Sequence, residues 1–177
     1  LITISQMETG ELKMELEKFD IHALVKDVFE SMEMKAQDKN ITFAFKEGCD
    51  QPFYVFGDRY RIRQVLVNLI VNSIKYGRES GKTLVSFYDM DENILVEVAD
   101  NGEGIAEEHL PRLFERFYRV DKSRSREAGG NGLGLAIVKH IIEAHNQTIN
   151  VRSTQGKGTT FGFTLKKGKD ERSFVNT

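Results

Sequence analysis

A chain of 177 residues, 40% hydrophobic and 29% charged, has the composition of one globular core with room for a small appendage. A formal net charge of -2 argues against a nucleic-acid binder, and the single cysteine, Cys49, excludes an internal disulfide and a cysteine-based metal site. No apolar run approaches the roughly 20 residues of a membrane span, the start of the chain is too charged for a signal peptide, and one cysteine fits a reducing compartment.

The chain starts at Leu1 and reads as a piece of a longer protein. Leu1, Ile4 and Met7 lie near a helical spacing, as at the end of a longer helix stopped by Gly10. Leu12, Met14 and Leu16 alternate with charged residues and predict a strand. Asp20 is placed to cap a helix whose Ile21, Leu24, Val25, Val28, Phe29 and Met32 form an apolar stripe, ending near Lys39 and Asn40. Strands are predicted over 41–45 and 53–56, on either side of G-C-D-Q-P. A helix over 58–76 follows, with Ile62, Leu66, Leu69, Ile70 and Ser73 on one side. Two strands come next, T-L-V-S-F-Y and I-L-V-E-V-A, then a short helix over 107–114 that Pro111 keeps from growing. Residues 115–127 carry five basic and three acidic side chains with little to hold them on a core, and read as mobile and suited to polyphosphate. Leu135, Val138, Ile141 and Ile142 predict a helix over 133–144, and strands over 148–153 and 160–165 make a hairpin around Q-G-K-G-T. Beyond Leu165 little remains to be buried, and the end of the chain reads as a solvated tail.

Three features of this layout bear on chemistry. The helix over 58–76 carries Gln64, Asn68, Asn72, Lys75 and Tyr76 opposite its core stripe. Such a stripe reads as a solvated face, or, because asparagine is a mediocre helix former used here twice, as a wall where amide oxygens meet magnesium and Lys75 meets a phosphate. Asp100 shares parity with Ile94, Val96 and Val98, which points its carboxylate toward a buried face. It either caps the following turn or accepts an exocyclic amine such as adenine N6, with Gly102 and Gly104 leaving room for a flat base. Gly130, Gly132 and Gly134 lead into a helix N-terminus, which is either a hinge or an anion site. Thr159 and Thr160 are strand formers, or supply a hydroxyl toward Asp100.

Several patterns fail. R-E-S-G-K-T at 78–83 lacks the spacing of a P-loop and follows a helix instead of a strand. G-N-G-L-G does not fit the dinucleotide fingerprint. No G-x-S-x-G elbow supports a hydrolase, and the four histidines read as surface or helix-end residues.

Taken in order, Q-V-L-V-N-L-I-V-N-S-I-K-Y, D-N-G-E-G-I, L-F-E-R-F-Y-R-V-D, G-N-G-L-G-L-A-I and G-K-G-T-T-F resemble the boxes of the catalytic and ATP-binding domain of bacterial two-component sensor histidine kinases, of the phosphate-sensor type. The resemblance spans residues 10–166, with 1–9 similar to the end of a dimerisation hairpin helix and 167–177 a tail. It implies an α+β fold, a two-layer α/β sandwich of the Bergerat type with a mixed five-stranded sheet covered by three helices. It implies ATP and Mg2+ as ligands, with Asp100 and Thr159 at the adenine, Gly102, Gly104 and Ile105 around the base, and Asn72 on the metal. Asn68, Lys75 and Tyr76 would line the phosphates and ribose. Arg119 and the segment to Gly130 match the ATP lid, Gly132, Leu133, Gly134 and Leu135 the phosphate-facing helix start, and Phe114 and Phe117 the aromatic box that packs the lid's hinge.

None of His22, His109, His140 or His145 is followed by the acidic residue and proline that mark the family's phosphate acceptor. The acceptor is therefore expected upstream of Leu1, on the hairpin of a parent homodimer, with this fragment itself monomeric and unable to phosphorylate itself. The resemblance also implies a response regulator receiver domain as partner and a cytoplasmic place beneath an inner-membrane parent. Related clamp ATPases place a glutamate where this chain has Asn68, which cannot act as a general base. A degenerate module that binds no nucleotide is opposed by the intact boxes.

Overall fold

The computed structural model describes residues 13–120 and 134–169. The elements are β1 (Glu17–Asp20), α1 (Ile21–Gln37), β2 (Thr42–Phe45), β3 (Tyr54–Gly57), α2 (Arg59–Lys75), β4 (Lys82–Asp89), β5 (Asn93–Asp100), a 3-10 turn (Glu107–Arg112), α3 (Gly134–Ala144), β6 (Ile149–Thr154) and β7 (Gly158–Lys167). The helix end expected over residues 1–8 and the tail from 170 lie outside the described residues.

One mixed sheet runs β1-β3-β7-β5-β4-β2, with β6 also paired to β7. Only β2 and β4 are parallel; β4, β5 and β7 form a long antiparallel centre. The sheet has seven strands instead of the five that the resemblance implied. The two short strands β1 and β3 extend it, and β3 meets β7 only through Val55 and Phe56. The first strand lies at Glu17–Asp20, later than the alternation through Leu12, Met14 and Leu16 predicted. Pairing with β3 selects Phe19, which sits opposite Val55 and is buried, whereas Leu16 is 51% exposed. Alternation alone did not find the face that another strand covers.

One sheet face is apolar: Val85 and Phe87 of β4, Ile94, Val96 and Val98 of β5, and Phe161, Phe163 and Leu165 of β7 are all buried. The three α-helices among the described residues lie on that face, contributing Leu24 and Val28, then Ile62, Leu66, Leu69 and Ile70, then Val138, Ile141 and Ile142. This is the two-layer α+β sandwich expected. Caps fix where helices begin. Asp20 accepts from the His22 and Phe53 N–H groups, which joins the start of α1 to β3. Asp58 accepts from Arg61 N–H at the start of α2 and from Glu15 N–H, while its own N–H donates to His145 Nε2. That bond leaves the His145 proton on Nδ1, which donates to the Ile141 carbonyl at 2.8 Å. No helix among the described residues is long and apolar enough to cross a membrane.

Candidate nucleotide site

The C-terminal half of α2 forms one wall. Ile62, Leu66, Leu69, Ile70 and Ser73 are buried, and the opposite stripe of Gln64, Asn68, Asn72, Lys75 and Tyr76 is half-buried, as helical periodicity requires. Asn68 Nδ2 donates to the Gly134 carbonyl at 3.1 Å, tying this wall to the first residue of α3. The Lys75 ammonium lies 5.3 Å from the Tyr76 ring centroid.

Asp100 ends β5, opposite Thr83 on one side and Thr159 on the other. Its Oδ1 accepts from Gly102 N–H at 2.9 Å, so it caps its own turn. Burial pushes its carboxyl above the ordinary aspartate range, the backbone N–H groups of Gly102 and Thr159 pull the other way, and the Glu103 charge adds to the rise. Thr159 is 4% exposed, and its hydroxyl meets Ser153 Oγ at 2.8 Å. Ser153 Oγ also accepts from Ile105 N–H and donates to the Gly158 carbonyl. Behind Asp100 the buried Ser73 and Thr83 hydroxyls meet at 2.9 Å. Ser73 belongs to the core stripe of α2, and nothing local in the sequence gives Thr83 or Ser153 a part; the strand register brings those two here.

The turn after Asp100 is threaded between α2 and the β6–β7 hairpin. A Cβ on Gly102 would stand 2.1 Å from the Tyr76 carbonyl oxygen, and one on Gly104, whose φ is +73°, 2.3 Å from that of Thr154. Glu103 N–H donates to Tyr76 O, and its carbonyl accepts from Gly156 N–H at 2.7 Å. Asn72, Tyr76, Asp100, Gly102, Gly104, Ile105 and Thr159 thus belong to one connected layer of α2, turn and hairpin.

The aromatic box is only partly packed. Phe114 makes an edge contact with Phe161, ring centroids 6.1 Å apart, but Phe117 is 60% exposed, with φ of 65°. The left-handed backbone turns Phe117 outward, and Tyr118 holds the inner position, its hydroxyl bonded to His109 Nδ1 and its ring 4.6 Å from the Arg112 guanidinium. Phe117 and Arg119 line a recess of about 210 Å³ with Arg112, Arg116 and Tyr118; none of Asn72, Asp100 or Thr159 lines it. Gly134 is exposed and Leu135 half-buried at the start of α3. Gly130, Gly132 and Leu133, with the lid segment from 121, lie outside the described residues.

Among the described residues no three His, Cys, Asp or Glu side chains gather to hold an ion. The amide oxygens on the polar stripe of α2 are those of Gln64, Asn68 and Asn72. A neutral amide oxygen of this kind suits magnesium, which keeps waters and takes phosphate oxygens as ligands.

Residues 57–169 match the family described as histidine kinase-, DNA gyrase B-, and HSP90-like ATPase, more than half of the chain. The chain is 34% identical, over 93% of its own length and 38% of the relative's, to the phosphate regulon sensor protein PhoR of Haemophilus influenzae. It is 36% identical to the sensor histidine kinase WalK of Bacillus subtilis, again over 93% of its length but 27% of that protein. It therefore spans well under half the length of these relatives. Among solved structures, the catalytic domain of histidine kinase ThkA superposes with a TM-score of 0.75 at 33% identity, covering 87% of this chain and 99% of that one. Full-length ShkA in complex with AMPPNP gives 0.80 at 28% identity, covering 94% and 34%. With the Asp100 turn, the asparagine face of α2 and the β6–β7 hairpin assembled as described, these likenesses agree: the chain belongs to the histidine kinase-, DNA gyrase B- and HSP90-like ATPase family, as a domain of the sensor histidine kinase type.

Proposed function

We propose that the chain binds Mg-ATP against α2 and the Asp100 turn and donates the γ-phosphoryl group to a histidine on a separate two-helix hairpin of its parent protein. The observation that carries this is the half-buried Asp100 carboxylate, fixed by Gly102 in the same layer as the asparagine face of α2. Asp100 accepts the adenine amino group, and Gly102, Gly104 and Ile105 leave a flat slot beside it. Tyr76 and Lys75 face the ribose and phosphates, Asn72 is the protein ligand of the metal, and Thr159 backs the base. Magnesium, when bound, offsets charge on the phosphate oxygens. Lys75 and Arg119 add positive charge there, and the start of α3 at Gly134 and Leu135 meets the phosphates.

A histidine nitrogen attacks the γ-phosphorus in line, the bond to the bridging oxygen breaks, and ADP leaves; the domain contributes position and charge compensation. Hydrolysis is disfavoured at Asn68, whose amide cannot take a proton from water and is bonded to Gly134. An acceptor outside this chain fits the state of three of its four histidines. His22 is buried against Phe45 and bonded to Asp50, His145 is held between Asp58 and Ile141, and His109 is bonded to Tyr118. ThkA has been solved in complex with the response regulator protein TrrA, and we extend that kind of partner to the parent of this chain.

Titration calorimetry with a non-hydrolysable ATP analogue, with and without magnesium, tests the reading. Binding strengthened by magnesium and lost in Asp100→Asn supports it; binding indifferent to Asp100 places the base elsewhere.

A further inference from the structure

Two cations outside the glycine and asparagine boxes hold backbone oxygens around the base side of this site. Lys39 lies just past α1, and its Nζ donates to the carbonyls of Ile74 at 3.0 Å, Lys75 at 2.7 Å and Gly77 at 3.4 Å. These oxygens close α2, where the last carbonyls lack helical partners and the dipole is negative. The Arg78 guanidinium donates through one nitrogen to the Gly156 carbonyl at 2.9 Å and the Gly102 carbonyl at 3.3 Å. It joins the turn after β5 to the turn between β6 and β7. With the Glu103 bonds to Tyr76 and Gly156, the connections form a closed circuit from α2 through both turns and back to the loop that follows α2.

The two cations also stand on backbone segments that are hydrogen-bonded to each other. Ser80 N–H donates to the Lys39 carbonyl at 2.8 Å, and Asn40 Nδ2 to Ser80 Oγ. Gly81 completes the tight turn, since a Cβ there would stand 2.8 Å from the Arg78 carbonyl oxygen. This is the R-E-S-G-K-T stretch, which fails as a phosphate-binding loop and here acts as a brace.

We infer that Lys39 and Arg78 are positioning residues for nucleotide binding: through the carbonyls of residues 74, 75, 77, 102 and 156 they fix the spacing between Tyr76, Gly102 and Gly156, and so the width of the base slot. The inference rests on the nucleotide reading above. Because the brace lies at the base end, its loss should weaken every adenine nucleotide alike, whatever its phosphate count.

The test is calorimetric titration of ADP and of a non-hydrolysable ATP analogue into the wild-type chain, Arg78→Met, Arg78→Lys and Lys39→Met, each with a melting curve without nucleotide. Arg78→Met should bind both nucleotides about three- to tenfold more weakly, by the same factor and with unchanged magnesium dependence. Its melting temperature should move by no more than about two degrees, because Arg78 is exposed. Arg78→Lys, which can reach one carbonyl, should recover part of the loss, and Lys39→Met should weaken both nucleotides about tenfold. If Lys39→Met does not fold, the Arg78 pair decides. A folded Arg78→Met that binds as tightly as wild type overturns the brace alone. A loss confined to the ATP analogue overturns its place at the base end, and a wild-type chain that binds neither nucleotide overturns the nucleotide reading and the brace with it.

Discussion

At Asp100 stability and recognition pull in opposite directions. Its carboxyl titrates above the ordinary aspartate range because burial outweighs the N–H groups of Gly102 and Thr159. A folded-state value above the unfolded one means that the folded chain holds this proton more tightly. That stabilisation is complete below the unfolded pKa and is lost as pH rises through the folded one. At neutral pH the charged Asp100 therefore works against folding, and Asp100→Asn should melt about one to three degrees higher at pH 7 while binding adenine nucleotides about a hundredfold or more weakly. The melting gain should shrink in acid; a gain that persists when both proteins are melted well below the ordinary aspartate range would sink the charge argument. Gly102 gives a second residue-scale expectation. A methyl group would meet both the Tyr76 carbonyl oxygen and Asp100 Oδ1, at 2.1 and 2.9 Å, so the turn must lift off α2. Gly102→Ala should cost about 1–3 kcal/mol by chemical denaturation and weaken nucleotide binding as well. The sequence shows this glycine two residues after an aspartate, but nothing local shows that the end of a helix lies against it.

The elements follow the same division between what is local and what is not. Asp20 and Asp58 stand next to the helices they cap, and the apolar stripes of α1, α2 and α3 repeat within a few residues, so these helices were legible before any coordinates. The Asn68 link to Gly134 spans 66 residues and that of Asp58 to His145 spans 87; no spacing rule announces either. The exposure of Phe117 was hidden for a related reason, because a left-handed backbone at one residue decides which of two adjacent aromatic rings faces inward. Asp58 joins both kinds of contact, the Arg61 cap being local and those of Glu15 and His145 distant. Asp58→Ala should therefore cost at the upper end of a cap's usual range, about 2 kcal/mol, seen as a melting temperature lower by roughly 4–8 degrees. Asp58→Asn, which keeps an acceptor for Arg61 N–H, should recover most of it; equal losses in the two variants would mean that charge, not capping, holds the start of α2.

For the whole molecule the question is what the assembled site does with ATP. A ligand that binds only the folded chain at about a hundred times its dissociation constant adds about 2.7 kcal/mol, which for a chain of this size raises the melting temperature by roughly 5–10 degrees. That shift would report binding, and it would not separate a kinase domain from an ATP-hydrolysing clamp built on the same sheet. The separation lies at Asn68. A clamp needs a carboxylate one helical turn before the metal asparagine to activate water, and this chain has there an amide whose nitrogen is already bonded to Gly134. Water next to the γ-phosphate would then find no base at that position, whereas an imidazole nitrogen brings its own lone pair and needs only to be aligned. Incubation with γ-labelled ATP should accordingly release almost no inorganic phosphate from the chain alone. It should place label on a separately supplied histidine hairpin from a sensor kinase of this type, in an acid-labile, base-stable linkage. Steady phosphate release without the hairpin would move the chain to the hydrolysing branch of its family, and nucleotide binding with neither release nor transfer would leave it a nucleotide-binding module without phosphoryl transfer.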